Sequence, residues 1–448
     1  MGYPPKRLRI LLLASDCNPE WPSLPIVGYK YAKALAKRCD VVVATHVRNR
    51  PNLEKAAEEG ITFKYIDTEH IARPMFKISK FLRGGTDVAW STNMMFAYPP
   101  YVEFERQVLK RFRKELDRGD FDIVHRITPM SPTMPSYISG RIRQPFVLGP
   151  LNGNLDWPKF FAAEKAREKE GLRKLRNLYK YLPFARSTYR KAACVLAAFQ
   201  HTIDDLNFAD PAKIVMFPEV GFDETLFNEV GRKSDGGAAD AADPDAGKTR
   251  FMFAGRLVPY KLPEVLVRAV AKSPILQKQI LHFVGDGPEM PRLKALVEEH
   301  GLQHCVRFEG RTDQKGVADW MRACDAFVFP SIRELGAGVV VEAMACGMLC
   351  VVVNYGAPGS LISPERGIRV GLASRDDMAD GFQSAMERVV AIEGDEREAM
   401  RAAATRYAFE KLRWSAKAEF TEDIYRRLLD GTPSADNPLP DFYGAGAD

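Results

Sequence analysis

From Arg250 onward, short runs of branched and aromatic residues alternate with segments whose apolar positions recur every three or four residues. RFMFAG precedes LPEVLVRAVAKS, QILHFVGDG precedes EMPRLKALVEEHG, VRFEG precedes GVADWMRAC, AFVFPS precedes VVVEAMACG, and CVVVN follows. This βα repetition, at a spacing of roughly 25 residues, predicts a parallel sheet covered by helices on both faces. Ligands of such sheets bind outside the carboxyl ends of the strands, so the loops that follow strands are the ones to search. The first half starts the same way, with RLRILLLAS, a helix around Tyr29–Arg38, then DVVVATH, ITFKYID, FDIVHRI and PFVLGP. The fold class expected is therefore α/β, with two Rossmann-like doubly wound parallel-sheet domains facing each other across a cleft.

The amino-terminal domain is expected over 1–215 and an interdomain segment over 216–249. The latter includes KSDGGAADAADPDAGKT, rich in Gly, Ala and Asp and read as a surface loop. The carboxy-terminal domain follows over 250–410, then a helix over 411–430 and a tail over 431–448. At 448 residues with 46% hydrophobic and 27% charged positions, the chain has the size and composition of two globular domains. Its longest apolar runs are strand-length, far short of a membrane span. LRILLLA with Asp16 close behind reads as a first strand rather than a signal peptide, which makes the cytoplasm the expected compartment. Seven cysteines without a CxxC pair point to reduced thiols rather than disulfides or a zinc site. Residues 1–230 hold 36 Lys+Arg against 26 Asp+Glu, and the remainder 28 against 32, so the basic excess lies in the first half. Nucleic acid has only that charge in its favour and no motif, and is not an expected partner.

Three loops carry candidate chemistry. In FAGRLVPYK a strand ends at Gly255, and Arg256 and Lys261 follow, a planar fork and a mobile point charge suited to a diphosphate. In HFVGDGP, Gly285 and Gly287 flank an Asp between strand and helix, where the main chain can approach a ligand; an Asp-Gly turn is the plainer alternative. In PSIRELGAGVVVEAMACG, Glu334 falls on a loop and Glu342 early in a helix, and a carboxylate accepts two hydrogen bonds side by side from adjacent sugar hydroxyls. Glu342 lies between three valines and Ala-Met-Ala, a poor setting for a merely solvated charge.

The ordered set GRLxxxK, GDGP, Glu334, Glu342 and EAMACG resembles the donor domain of retaining glycosyltransferases of the GT-B fold, family 4 type. VGFDETLF at Val220–Phe227 and RWSAKAEFTEDIY extend the resemblance in weaker form. It implies that Arg256 and Lys261 bind the donor diphosphate, Glu334 reads the transferred sugar and Glu342 binds the nucleotide ribose. It also implies retention of anomeric configuration. The family's EGFG is here Glu334-Leu335-Gly336-Ala337-Gly338, so backbone contacts from Gly336, Ala337 and Gly338 to sugar and phosphate are rearranged. The paired glycines before the first helix are replaced by NPEWPSLPIVG, in which Ser23 is the candidate cap that leaves amides free for phosphate. Of the family's HxH only His125 is kept; it is the candidate for touching the sugar or the reacting centre, with a structural role as the alternative. Asn152 in GPLNGN is a further candidate lining residue for the donor or the acceptor.

No metal or cofactor is expected, because DFD at Asp120 begins a strand and DPD at Asp243 lies in the low-complexity loop. The expected partners are a nucleotide-sugar donor and a saccharide or lipid-linked acceptor. Residues 157–191 hold 11 Lys+Arg and three Glu interleaved with aromatics, a candidate surface for anionic membrane, to which Ala72–Gly85 adds. The function implied is sugar transfer in cell-surface polysaccharide or glycolipid synthesis. The alternatives are a sugar-nucleotide-binding scaffold without turnover, or another GT-B enzyme such as an epimerase.

Overall fold

The computed structural model describes residues 6–56, 60–82, 90–162, 179–232, 245–431, 433 and 438–442. The chain divides into two compact units. Unit 1 comprises Met1–Asn154, Lys165–Glu219 and Trp414–Asp448; unit 2 comprises Leu155–Glu164 and Val220–Arg413.

Unit 1 holds a seven-stranded sheet in the order β3-β2-β1-β4-β5-β6-β7. The strands are β1 (Arg9–Ala14), β2 (Asp40–His46), β3 (Ile61–Ile66), β4 (Ile123–Thr128), β5 (Phe146–Leu151), β6 (Cys194–Ala197) and β7 (Ile214–Met216). Every pairing is parallel. β4 and β5 are buried at each position; β5 reads accordingly as an apolar run, FVLGPL, whereas β4, IVHRIT, carries His125 and Arg126 into the interior. Phe104, Val108 and Phe112 of the helix Trp90–Arg118 pack against Leu11, Leu13 and Val124 of the sheet in one core cluster. The helix Trp414–Asp430 belongs to this unit and packs on the helix Leu24–Ala36, with Tyr31 Oη hydrogen-bonded to Thr421 Oγ1.

Unit 2 repeats the arrangement with six parallel strands in the order β10-β9-β8-β11-β12-β13. They are β8 (Arg250–Ala254), β9 (Ile280–Val284), β10 (Val306–Gly310), β11 (Ala326–Phe329), β12 (Leu349–Val353) and β13 (Gly367–Val370). In both sheets the strand order reverses beside the first strand, between β1 and β4 and between β8 and β11. Such a reversal leaves a crevice at the carboxyl ends of the two strands that flank it, where doubly wound sheets bind ligands.

Three features differ from the expected organisation. Val220–Arg232 is part of unit 2 rather than a separate interdomain segment, and β6 and β7 complete the unit 1 sheet after residues that carry no clear βα rhythm. Leu155–Glu164, from the middle of the amino-terminal half, is built into unit 2. Residues 163–178 of the basic stretch 157–191, and Asp243 of the DPD sequence, lie outside the described residues.

Candidate functional site

The three motif loops of unit 2 follow β8, β9 and β11, the central strands around the reversal point. After β8 the chain turns through Gly255, runs out to Arg256, and makes a short turn at Pro259–Lys261. Arg256 is exposed, with Nη2 donating to Tyr260 Oη at 3.3 Å. Lys261 folds back: its Nζ lies 3.2 Å from Glu334 Oε1, stands over the Phe329 ring, and comes within 3.0 Å of where a Cβ on Gly255 would be. Glycine at 255 takes φ 135°, a conformation L side chains rarely adopt, and its missing Cβ also leaves room for the Lys261 ammonium.

Gly285 and Gly287 have a reason the motif alone does not reveal. A Cβ on Gly285 would sit 2.0 Å from the Gly255 carbonyl oxygen, and one on Gly287 2.3 Å from that of Leu257. Gly255 N donates to Val284 O and Leu257 N to Asp286 O, so the loops after β8 and β9 lie backbone against backbone. The close approach these glycines allow is to protein main chain. This packing accounts for glycine at both positions without a ligand, and their part in donor binding stays a proposal.

After β11, the Glu334 carboxylate accepts from Ser331 Oγ at 3.1 Å as well as from Lys261, and its side chain is 18% exposed. In the ligand-free geometry the cation and the carboxylate satisfy one another. Gly336 follows in the loop, Ala337 takes the left-handed conformation (φ 50°) at the N-cap, and the helix Gly338–Ala345 begins. Glu342 lies on that helix, half-buried between Val341 and Ala343, which are buried.

Unit 1 corrects two expectations. His125, expected to touch the sugar or the reacting centre, lies inside β4, which continues to Thr128, and pairs in register with Leu12. Its ring is fully buried. Nε2 lies 2.7 Å from Gly149 O and Nδ1 2.5 Å from Tyr425 Oη. A carbonyl only accepts, so Nε2 carries the hydrogen and Nδ1 accepts from the tyrosine. Burial pushes the imidazole down to about 4, against the upward pull of the Gly149 carbonyl, and Arg126 depresses it further. Both nitrogens are thus committed to holding β4, β5 and the helix Trp414–Asp430 together, which is the structural alternative. Ser23 stands at the N-cap of Leu24–Ala36, but its hydroxyl makes no capping bond and its φ is 71°. Capping there fails because the backbone does not take the extended conformation that aims a serine oxygen at the first-turn amides.

Asn152 follows β5 and is buried, its amide donating to Glu219 Oε1. Glu219 and Lys417 escaped the sequence reading, since they are nearly 200 positions apart and the segment RWSAKAEFTEDIY that contains Lys417 gives no sign of a buried partner for it. Lys417 Nζ donates to Pro218 O and lies 3.7 Å from the Phe217 ring centroid. Burial pushes the Glu219 carboxyl up to about 7, opposed by its own amide, Asn152 and Lys417; burial likewise pushes the lysine down. The seven cysteines are all buried and free, and no cluster of metal-ligating side chains occurs among the described residues.

Residues 240–407 match the family model described as glycosyl transferases group 1. A D-inositol 3-phosphate glycosyltransferase from Thermomonospora curvata is 32% identical over 242 residues, 50% of this chain and 54% of the relative. One from Catenulispora acidiphila is 31% identical over 198 residues, 42% and 44% respectively. The chain thus spans about half the length of the curated relatives it matches. Among solved structures, HepE from Anabaena in complex with UDP is similar with a TM-score of 0.60 at 16% identity, over 93% of this chain and 98% of that one. Sucrose-phosphate synthase from Thermosynechococcus elongatus gives 0.62 at 17%, over 95% and 100%. At such identities the likeness speaks for fold. The matched segment spans every motif from Gly255 to Glu342, and solved glycosyltransferases share the two-sheet architecture along nearly the whole chain; the protein has a GT-B fold whose residues 240–407 are similar to group 1 glycosyl transferases.

Proposed function

We propose that the chain transfers a sugar from a nucleotide diphosphate sugar to a saccharide or lipid-linked acceptor, with retention of configuration, as a family 4 type enzyme. The observation that carries the reading is the Lys261–Glu334 pair at the reversal point of the unit 2 sheet, with Arg256 beside it on the same loop. A diphosphate takes over the lysine and sugar hydroxyls take over the carboxylate, each replacing the partner it loses. Glu342 holds the nucleotide ribose. Departure of the nucleoside diphosphate builds negative charge on the leaving oxygen, and fixed cations there stabilise the transition state more than the ground state. Arg256 and Lys261 supply that charge, and the reaction proceeds without a divalent metal. The relatives named D-inositol 3-phosphate glycosyltransferase and the UDP complex of a structural neighbour support the donor class.

The acceptor belongs to unit 1, and the reading includes contact with an anionic membrane. Its support is the helix Glu69–Leu82, where Phe76 and Ile78 are 53% and 43% exposed beside exposed Arg73, Lys77 and Lys80. Salt-sensitive sedimentation with anionic liposomes is the expected result, and no sedimentation counts against membrane contact.

The donor test is a thermal-shift panel of UDP, GDP, ADP and their sugar conjugates, with and without Mg²⁺. A ligand that binds the folded state alone raises the midpoint by mass action. Stabilisation by one nucleotide without Mg²⁺, lost in Glu342→Ala, is expected. No response to any of them returns the scaffold alternative.

A further inference from the structure

The segment Leu155–Ala162 is sequence of the first half built into unit 2, and it meets the Glu334 loop. Trp157, nearly buried, lies under the Arg333 guanidinium with Cζ 4.7 Å from the ring centroid. Tyr355 Oη donates to Asp156 O at 2.5 Å. The Leu155 methyls press on Gly356, where a Cβ would meet Cδ2 at 2.9 Å and the Glu334 carbonyl oxygen at 2.7 Å. Ala357 N, next along, donates to Glu334 O at 3.1 Å. Further on, Phe161 lies beneath Arg375, whose Nε pairs with buried Glu264 at 3.0 Å.

These contacts hold the backbone that carries Glu334, at the neighbouring Arg333 and at the Glu334 carbonyl. Arg333 is fixed through its side chain by Trp157. The Glu334 carbonyl is fixed through Ala357, whose neighbour Gly356 is pinned by Leu155. The carboxylate is then aimed at Ser331 and Lys261 with little rotational freedom in the backbone that carries it. A group that must meet hydroxyls within a few tenths of an ångström gains from such support, and a group that only needs charge does not.

Resting on the donor reading above, we propose that the strap Leu155–Trp157 is a positioning element for Glu334, with Trp157 its anchor. Through Glu334 it governs the sugar half of the donor and leaves the nucleotide diphosphate half to Arg256, Lys261 and Glu342. Trp157 touches no substrate in this scheme; it acts through Arg333 and the loop.

The test compares full-length protein with Trp157→Ala and Trp157→Phe by calorimetric titration against UDP, GDP, ADP, UDP-glucose, GDP-mannose and ADP-glucose. For the base that the unaltered protein binds, Trp157→Ala weakens the sugar conjugate about tenfold and changes the sugar-free nucleotide by less than about threefold. Trp157→Phe restores the conjugate, because an aromatic face remains under Arg333. Equal losses for nucleotide and conjugate, no loss for either, or failure of the phenylalanine to rescue overturns the role. Should Trp157→Ala not fold, Tyr355→Phe removes only the bond to Asp156 O and must show the same selectivity in smaller degree; a nonselective effect there overturns the role equally. Absence of binding by the unaltered protein refutes the donor reading itself, and the strap's role with it, before any variant is compared.

Discussion

His125 separates a catalytic from a structural reading of unit 1, and the structure assigns it a measurable charge state. Burial holds the imidazole near 4 rather than its ordinary 6.5, so the folded protein declines a proton that the unfolded chain accepts. The stabilising contribution is fully present above about 6.5 and is lost as pH falls toward 4. The gap between the two values corresponds to roughly 3 kcal/mol, a large share of a typical domain's stability. In side-chain nitrogen NMR of the seven histidines, the resonance lost in His125→Gln is expected as a neutral Nε2–H tautomer from pH 9 down to about 5. Amide exchange in β4 and in the helix Trp414–Asp430 reports the energetic side, with protection falling steeply from pH 6.5 to 4 in the parent and less steeply in the variant. His125→Gln also costs about 1–3 kcal/mol, because glutamine cannot present both hydrogen bonds in the imidazole's geometry. The pH profile of kcat is expected to survive the substitution unchanged. An imidazole that titrates near 6.5, or a kinetic limb that vanishes in His125→Gln while exchange protection is kept, refutes the structural assignment and returns the residue to the reaction.

Other consequences are open to direct measurement. Lys261→Ala removes one charge-assisted contact to the diphosphate, worth about 1.5–3 kcal/mol, and is expected to lower kcat/KM by roughly ten- to over a hundredfold in a steady-state assay while circular dichroism stays unchanged. Unchanged turnover removes the clamp. Gly285→Ala places a methyl 2.0 Å from the Gly255 carbonyl at φ 141°, and is expected to cost at least about 2 kcal/mol by thermal melting and to displace the loop that carries Arg256. A stable variant with full donor affinity contradicts the packing of those loops. The raised carboxyl of Glu219 contributes stability below about 4.5 that is lost as pH rises through about 7. Melting of Glu219→Gln beside the parent is therefore expected to shift in the variant's favour from pH 5 to pH 8, and a difference independent of pH contradicts the burial of that carboxylate.

Much of the scaffold was legible in the residues because the signals are local. β2 coincides with the run DVVVATH and is buried from Val41 to Thr45, as a parallel strand that is apolar on both faces is; β10 coincides with VRFEG, a half-buried strand at the sheet edge. The short strands β6, β7 and β13 escaped because three or four residues carry little pattern, and their place is set by the neighbours they pair with. In the site, Lys261 and Glu334 were legible as chemistry on loops that follow strands, and the structure brings them to 3.2 Å although 73 positions separate them. Their roles toward a donor remain with the experiments above.

A linear order of residues could name the βα rhythm, the strand-end loops and the charges on them, because each depends on neighbours a few positions away. Which of two readings holds for His125 depended on whether β4 stops before or after it and on Tyr425, 300 positions distant. The glycines after β9 allowed a ligand contact or a plain turn by sequence, and the remote loop after β8 that lies on them supplies a packing reason for both. Trp157 looked like the start of a basic surface segment and is instead built under Arg333. In each case the deciding partner is remote in sequence, and only packing determines whether a polar or aromatic side chain meets solvent, a ligand or another part of the chain.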